Sequence, residues 1–134
     1  MASQSNPSPP TDTPFPLKLT CHCARITVSY PSKPPTLNEC HCTVCYKYGV
    51  LWGYFPPEEV TITESDGATV EAYIRSDEDS EGDIAFKRCS HCGCVVVWMA
   101  AGKWEGKGSK MGVNFRMVGW KAVEGIPRRF GGKE

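Results

Sequence analysis

Eight cysteines in 134 residues, all held in three short clusters, constrain this chain more than any other feature. The clusters are Cys21-His22-Cys23, Cys40-His41-Cys42-Thr43-Val44-Cys45 and Cys89-Ser90-His91-Cys92-Gly93-Cys94. Cysteines grouped this way serve either a disulfide framework or metal ligation, and the redox compartment separates the two. The opening sixteen residues, MASQSNPSPPTDTPFP, have no basic start, no apolar stretch and no cleavage site, so they do not read as a secretory signal. A reducing setting follows as the expectation, cytoplasmic with the nucleus as the alternative, and with it metal ligation.

Zinc takes four tetrahedral ligands at ~2.3 Å, which requires ligand sulfurs within about 4 Å of one another. Residues two apart on a regular strand sit ~6.6 Å apart on one face, so a Cys-x-Cys pair has to curl into a turn to chelate one ion. In Cys89-x-x-Cys92-Gly93 the glycine permits the positive-φ turn that aims backbone amides at sulfur. The arithmetic leaves two divisions open. Two pairs from the outer clusters and a triplet from the middle one use seven thiols, leave Cys94 over and give the middle ion an open position. Otherwise both sites close, with Cys94 or a histidine as the last ligand. Cys94 enters a valine-rich run, where it reads as a small buried hydrophobe. His22 and His41 stand between two cysteines and should point away from the metal their neighbours bind, although His41 is a candidate proton carrier.

Five prolines and one charge in residues 1–16 read as a flexible arm, followed by a single domain over residues 17–134. The domain reads as mainly β, made of short strands broken by turns. Leu17–Thr20, Ile26–Tyr30 and Leu51–Phe55 are strand candidates, the last two ending at proline. Val60–Thr63 and Val70–Ile74 are expected to pair as a hairpin through Ser65-Asp66-Gly67. Ile84–Phe86, Val95–Trp98 and Gly112–Val118 complete the set. The one helical candidate is Thr43–Tyr48, ended by Gly49. Asp77–Asp83, with five acidic residues, reads as a solvated loop, and Ala100–Lys110 as another loop. Fifteen basic residues balance fifteen acidic ones, which argues against a nucleic-acid binder held by phosphate neutralisation. The longest apolar run, Val95–Ala101, is far too short to span a membrane. Neither the oligomeric state nor the organism is written in the sequence.

Cys21-x-Cys23, Cys40-x-Cys42-x-x-Cys45 and Cys89-x-x-Cys92-Gly93, in that order over about Thr20–Val118, resemble the glutathione-dependent formaldehyde-activating enzyme family, which shares its domain with centromere protein V. The resemblance implies a β-tent-like fold of short antiparallel strands tied by two zinc ions per chain. Carried over by position, Cys21, Cys23, Cys89 and Cys92 match the structural zinc ligands, and Cys40, Cys42 and Cys45 match the catalytic ones. Cys94 and the arm before Phe15 have no counterpart in the motif, and no motif names substrate-contacting residues.

Three thiolates leave a zinc ion weakly Lewis acidic and better suited to activating another thiol than to making hydroxide. The implied reaction is addition of glutathione, as co-substrate, to formaldehyde or another small electrophile, which in reverse is a carbon–sulfur lyase reaction. Two further readings compete with it: a zinc enzyme acting on a specialised metabolite without glutathione, and a non-catalytic zinc module that binds a protein partner. Lys47, Lys110 and Arg116 are candidate partners for glutathione carboxylates, with Asn114 as a neutral hydrogen-bonding group. Tyr46, Tyr48, Trp52 and Tyr54 follow the middle cluster and are candidates to line a pocket.

Overall fold

The computed structural model describes residues 14–131. Its elements in chain order are β1 (Lys18–Thr20), β2 (Ile26–Ser29), β3 (Leu37–Cys40), α1 (Thr43–Tyr48), β4 (Trp52–Phe55), β5 (Thr61–Glu64), β6 (Val70–Asp77), β7 (Ser80–Cys89), β8 (Val95–Ala100), β9 (Met111–Asn114), α2 (Trp120–Val123) and β10 (Arg128–Gly131). Two sheets result: three strands in the order β1-β2-β5, and seven in the order β10-β3-β4-β9-β8-β7-β6. The fold is mainly β, as the sequence predicts. All pairings are antiparallel except that of β10 with β3, which is parallel.

Period-two alternation decides which face each strand buries. Leu19 of β1 and Ile26 and Val28 of β2 point inward, as do Phe55, Val97, Met111 and Val113 from the large sheet. Between the sheets Tyr30, Phe55 and Phe115 form an aromatic cluster, with ring centroids 4.9–6.2 Å apart. Gly53 belongs to this face because a Cβ there would come within 2.6 Å of the Phe115 ring. The arm expected over residues 1–16 lies outside the described residues as far as residue 13. Phe15 packs on Tyr30 and Phe115, and the Tyr30 hydroxyl donates to the Pro16 carbonyl at 2.6 Å.

The opposite face of the large sheet carries a second, smaller core. One row of cross-strand neighbours runs Tyr54, Gly112, Trp98, Phe86, Tyr73 across five strands. A Cβ on Gly112 would collide with the Trp98 indole, so the glycine is what lets that ring lie across β9. Helix α1 covers one end of this face and ends as predicted, with Gly49 in the left-handed region at φ 72°.

Three sequence expectations need correction, the first being that the strand expected over Gly112–Val118 stops at Asn114, where a 3-10 turn over Phe115–Met117 follows. Ser65-Asp66-Gly67 does form a turn, with Asp66 and Gly67 at positive φ and the Ala68 amide donating to the Ser65 carbonyl. Its flanking strands do not pair, however: β5 joins β2 in the small sheet, while β6 joins β7 in the large one. The acidic run Asp77–Asp83 is the tip of the β6–β7 hairpin rather than a free loop, and two of its carboxylates face Arg75.

Candidate functional site

The first and last cysteine clusters meet at one end of the core. Cys21-His22-Cys23 curls into a turn, with Ala24 at φ 65° and its amide donating to the Cys21 carbonyl. Cys89–Gly93 forms the expected knuckle, with Gly93 at φ 81° and its amide bonded to the Cys89 carbonyl. All four sulfurs of Cys21, Cys23, Cys89 and Cys92 lie within 4.8 Å of one another, and Cys23 is 3.6 Å from both Cys21 and Cys89. Tetrahedral sulfurs around an ion at ~2.3 Å would be about 3.8 Å apart. The Ile26 amide points at the Cys21 sulfur and the His91 and Cys92 amides at that of Cys89, at 3.3–3.5 Å. Burial pushes the Cys21 thiol up to about 11. Burial also works against the Cys92 thiolate, yet the Cys94 and Cys23 amides and neighbouring thiols outweigh it and take that group down to about 5. Four converging soft donors with amides at three of the sulfurs fit a closed metal site.

Cys40, Cys42 and Cys45 form the second group, again within 4.8 Å, and no further Cys, His, Asp or Glu joins it among the described residues. Cys40 ends β3, Cys42 caps the N-terminus of α1, and Cys45 lies one turn inside it, so strand end and helix start converge on one point. The Trp52 indole N–H donates to the Cys45 sulfur at 3.4 Å. Burial raises the Cys40 and Cys45 thiols. At Cys42 burial is outweighed by bonds from Cys45 and Cys40 and by the charge of Arg75, and the thiol falls below its ordinary value of 9.0. This donor set fits a metal ion held by three thiolates.

The three thiols open into a cavity of about 380 Å³, walled by Trp52, Tyr54, Ile84, Phe86 and Trp98. Its two other lining residues are Arg75 and Asp79. Arg75 sits where the β6–β7 register shifts, between Ile74 and Ser76, and is 8% exposed. A bulge re-aims a side chain, and here the guanidinium comes to the thiol end of the sheet. Its Nε donates to Asp77 at 2.8 Å and its Nη2 lies 3.7 Å from Asp79.

Of the residues singled out from sequence, Trp52 and Tyr54 line this cavity. The Tyr54 hydroxyl accepts from Asn38 Nδ2 at 2.6 Å, and Lys110 Nζ stands 4.4 Å from the Tyr54 ring centroid. Tyr48 packs at a tilt against Phe86, and Tyr46 is exposed, edge-on to His41. Asn114 is not free to meet a ligand. It is 3% exposed, accepts from the Leu51 and Arg116 amides and donates to the Val95 carbonyl. Arg116 donates to the Gly49 carbonyl and lines a groove with Trp120 and Arg128. Lys47 and His41 line another surface depression, where His41 Nε2 is 2.9 Å from Glu39. Cys94 stands outside both thiol groups, partly buried, and packs on the main core. Arg75, Asp79, Ile84, Phe86 and Trp98 carry no motif, and only the strand register brings them to the thiols.

The family model for the glutathione-dependent formaldehyde-activating enzyme matches residues 16–122. The chain belongs to that family. The match runs from just before β1 into α2 and takes in both thiol groups. A crystal structure of a Rhodobacter sphaeroides protein aligns with a TM-score of 0.59 at 15% identity, covering 84% of this chain and 99% of that one; it supports the fold. No curated protein matches the chain significantly in sequence. No helix among the described residues is long and apolar enough to cross a membrane.

Proposed function

We propose that the protein is a zinc-dependent carbon–sulfur lyase/synthase that joins glutathione to formaldehyde or another small electrophile. The observation that carries this is the three-thiol group opening into an aromatic-walled cavity, in a chain whose other thiol group brings four donors together. On this reading Cys21, Cys23, Cys89 and Cys92 hold a structural zinc ion, and Cys40, Cys42 and Cys45 hold the reactive one. Zinc bound by three thiolates supplies a position at which an incoming thiol loses its proton. In the reaction the glutathione sulfur forms a bond to the carbonyl carbon. The carbonyl π pair moves to oxygen, which takes up the proton released by the thiol.

The chain's own residues set up this encounter. Trp52 fixes the Cys45 sulfur through its indole N–H, and Arg75 places positive charge near Cys42 and Cys45. The aromatic wall gives the reacting centre a largely apolar lining, beside which fixed charges act more strongly than in bulk water. Holding both reactants in one cavity converts a bimolecular encounter into an oriented one, which can be worth several orders of magnitude. A cytoplasmic setting, a small-molecule substrate and a domain that starts at about residue 17 belong to the same proposal. Exchange NMR on a mixture of glutathione and formaldehyde tests it, since the adduct also forms unaided. The expected result is exchange faster than that background with the zinc-loaded protein, lost in Cys42→Ser. Exchange equal to background for formaldehyde and for larger aldehydes alike contradicts the reading.

A further inference from the structure

The three-thiol cavity is larger and more apolar than formaldehyde requires. Its volume of about 380 Å³ falls in the range of pockets that enclose whole small molecules, about 300–1,000 Å³. Formaldehyde has two heavy atoms and no apolar body to meet Trp52, Ile84, Phe86 and Trp98. Glutathione does not account for that wall either. The tripeptide carries two carboxylates and an ammonium, whereas Arg75 is the one cation among the lining residues described, and Asp77 and Asp79 already face it. A further cation, Lys110, stands over the Tyr54 ring and is not among those lining residues. The sheet is also built to present flat surface here: Gly112 gives up its side chain so that the Trp98 indole can lie across β9, edge-on to Tyr54 at 6.2 Å.

We infer that the electrophile handled at this centre is an aldehyde with a flat apolar body, aromatic in the first instance, which fills the cavity while glutathione's polar ends stay at the rim. The inference rests on the proposed function and specifies its substrate class. The bond changes are unchanged: sulfur adds to the aldehyde carbon, and the carbonyl oxygen takes the thiol's proton to give RS–CH(OH)–R′.

Stable thioethers test this without turnover. Calorimetric binding of S-benzylglutathione and S-methylglutathione to the zinc-loaded full chain compares a ring with a methyl group at the same sulfur. Burying the additional apolar surface should make the benzyl compound bind at least about tenfold more tightly. Ile84→Asn, at a half-buried position on the cavity wall, should narrow that ratio to within about threefold while zinc content and circular dichroism are retained. Equal affinities, tighter binding of the methyl compound, no binding of either, or an unchanged ratio in Ile84→Asn overturn the inference. The proposed function fails by a different result, namely that free glutathione leaves the spectrum of cobalt at Cys40, Cys42 and Cys45 unaltered.

Discussion

Arg75 lines the cavity beside the middle thiols and Gly112 leaves room for the Trp98 ring on its wall, and neither carries a motif. Gly112→Ala should push the Trp98 ring off β9, costing about 1–3 kcal/mol by overpacking. Chemical denaturation would measure that loss, and a shift in tryptophan emission should accompany it. Unchanged stability and emission would mean that the indole is not held against the strand. Cys94→Ala should keep the full metal content and lose at most about 1–2 kcal/mol from a small void, because its sulfur stands outside both groups. Loss of one metal equivalent would make Cys94 a ligand. At this scale the cysteines are legible because turn geometry within six residues fixes where their sulfurs point. Arg75 is not, because the bulge that aims it arises from a register mismatch between two strands. Its acidic partners look like an ordinary solvated run until the hairpin is formed.

Among the elements, α1 announces itself through Gly49, and β1, β2 and β8 through alternating or continuous apolar residues. β3 and β10 leave little trace. Leu37 is the one residue fully buried in β3, and Arg128–Phe130 are exposed, so these strands exist because their backbones pair in parallel across a long sequence separation. The false hairpin has a related cause: a turn signal fixes a reversal of the chain but not which sheet receives the next strand. Between the sheets, Tyr30 ties β2 to the residues before β1 through its bond to the Pro16 carbonyl. Burial raises its hydroxyl from 10.0 to about 12, so the folded state favours the neutral phenol. The stabilisation this gives is complete below pH 10 and is lost as pH rises through about 12. Tyr54 and Tyr48 shift the same way, also through burial, so the comparison with Tyr30→Phe isolates the contribution of Tyr30. That variant should be about 1 kcal/mol less stable at neutral pH, and the gap should close above pH 10 in urea titrations. A gap independent of pH would remove the phenol from the account.

For the whole molecule, the proposed function has the two thiol groups divide the work between holding the fold and meeting a ligand. The closed group joins the turn after β1 to the end of β7, so the zinc proposed there supplies folding free energy, on the order of 10 kcal/mol or more. Cys89→Ser should therefore unfold the domain by circular dichroism. Cys42→Ser should leave it folded with about one zinc per chain by elemental analysis, against two in the parent. Identical behaviour of the two variants would contradict the division. The central claim is that a fourth sulfur from glutathione completes the three-thiol group, and cobalt at that position reports it most directly. Titration with glutathione should strengthen the sulfur-to-metal charge-transfer band and move the d–d bands. The apparent affinity should rise with pH, because the incoming thiol must release a proton to bind. Bands that stay unchanged at every pH, with cobalt demonstrably held by Cys40, Cys42 and Cys45, would contradict the account.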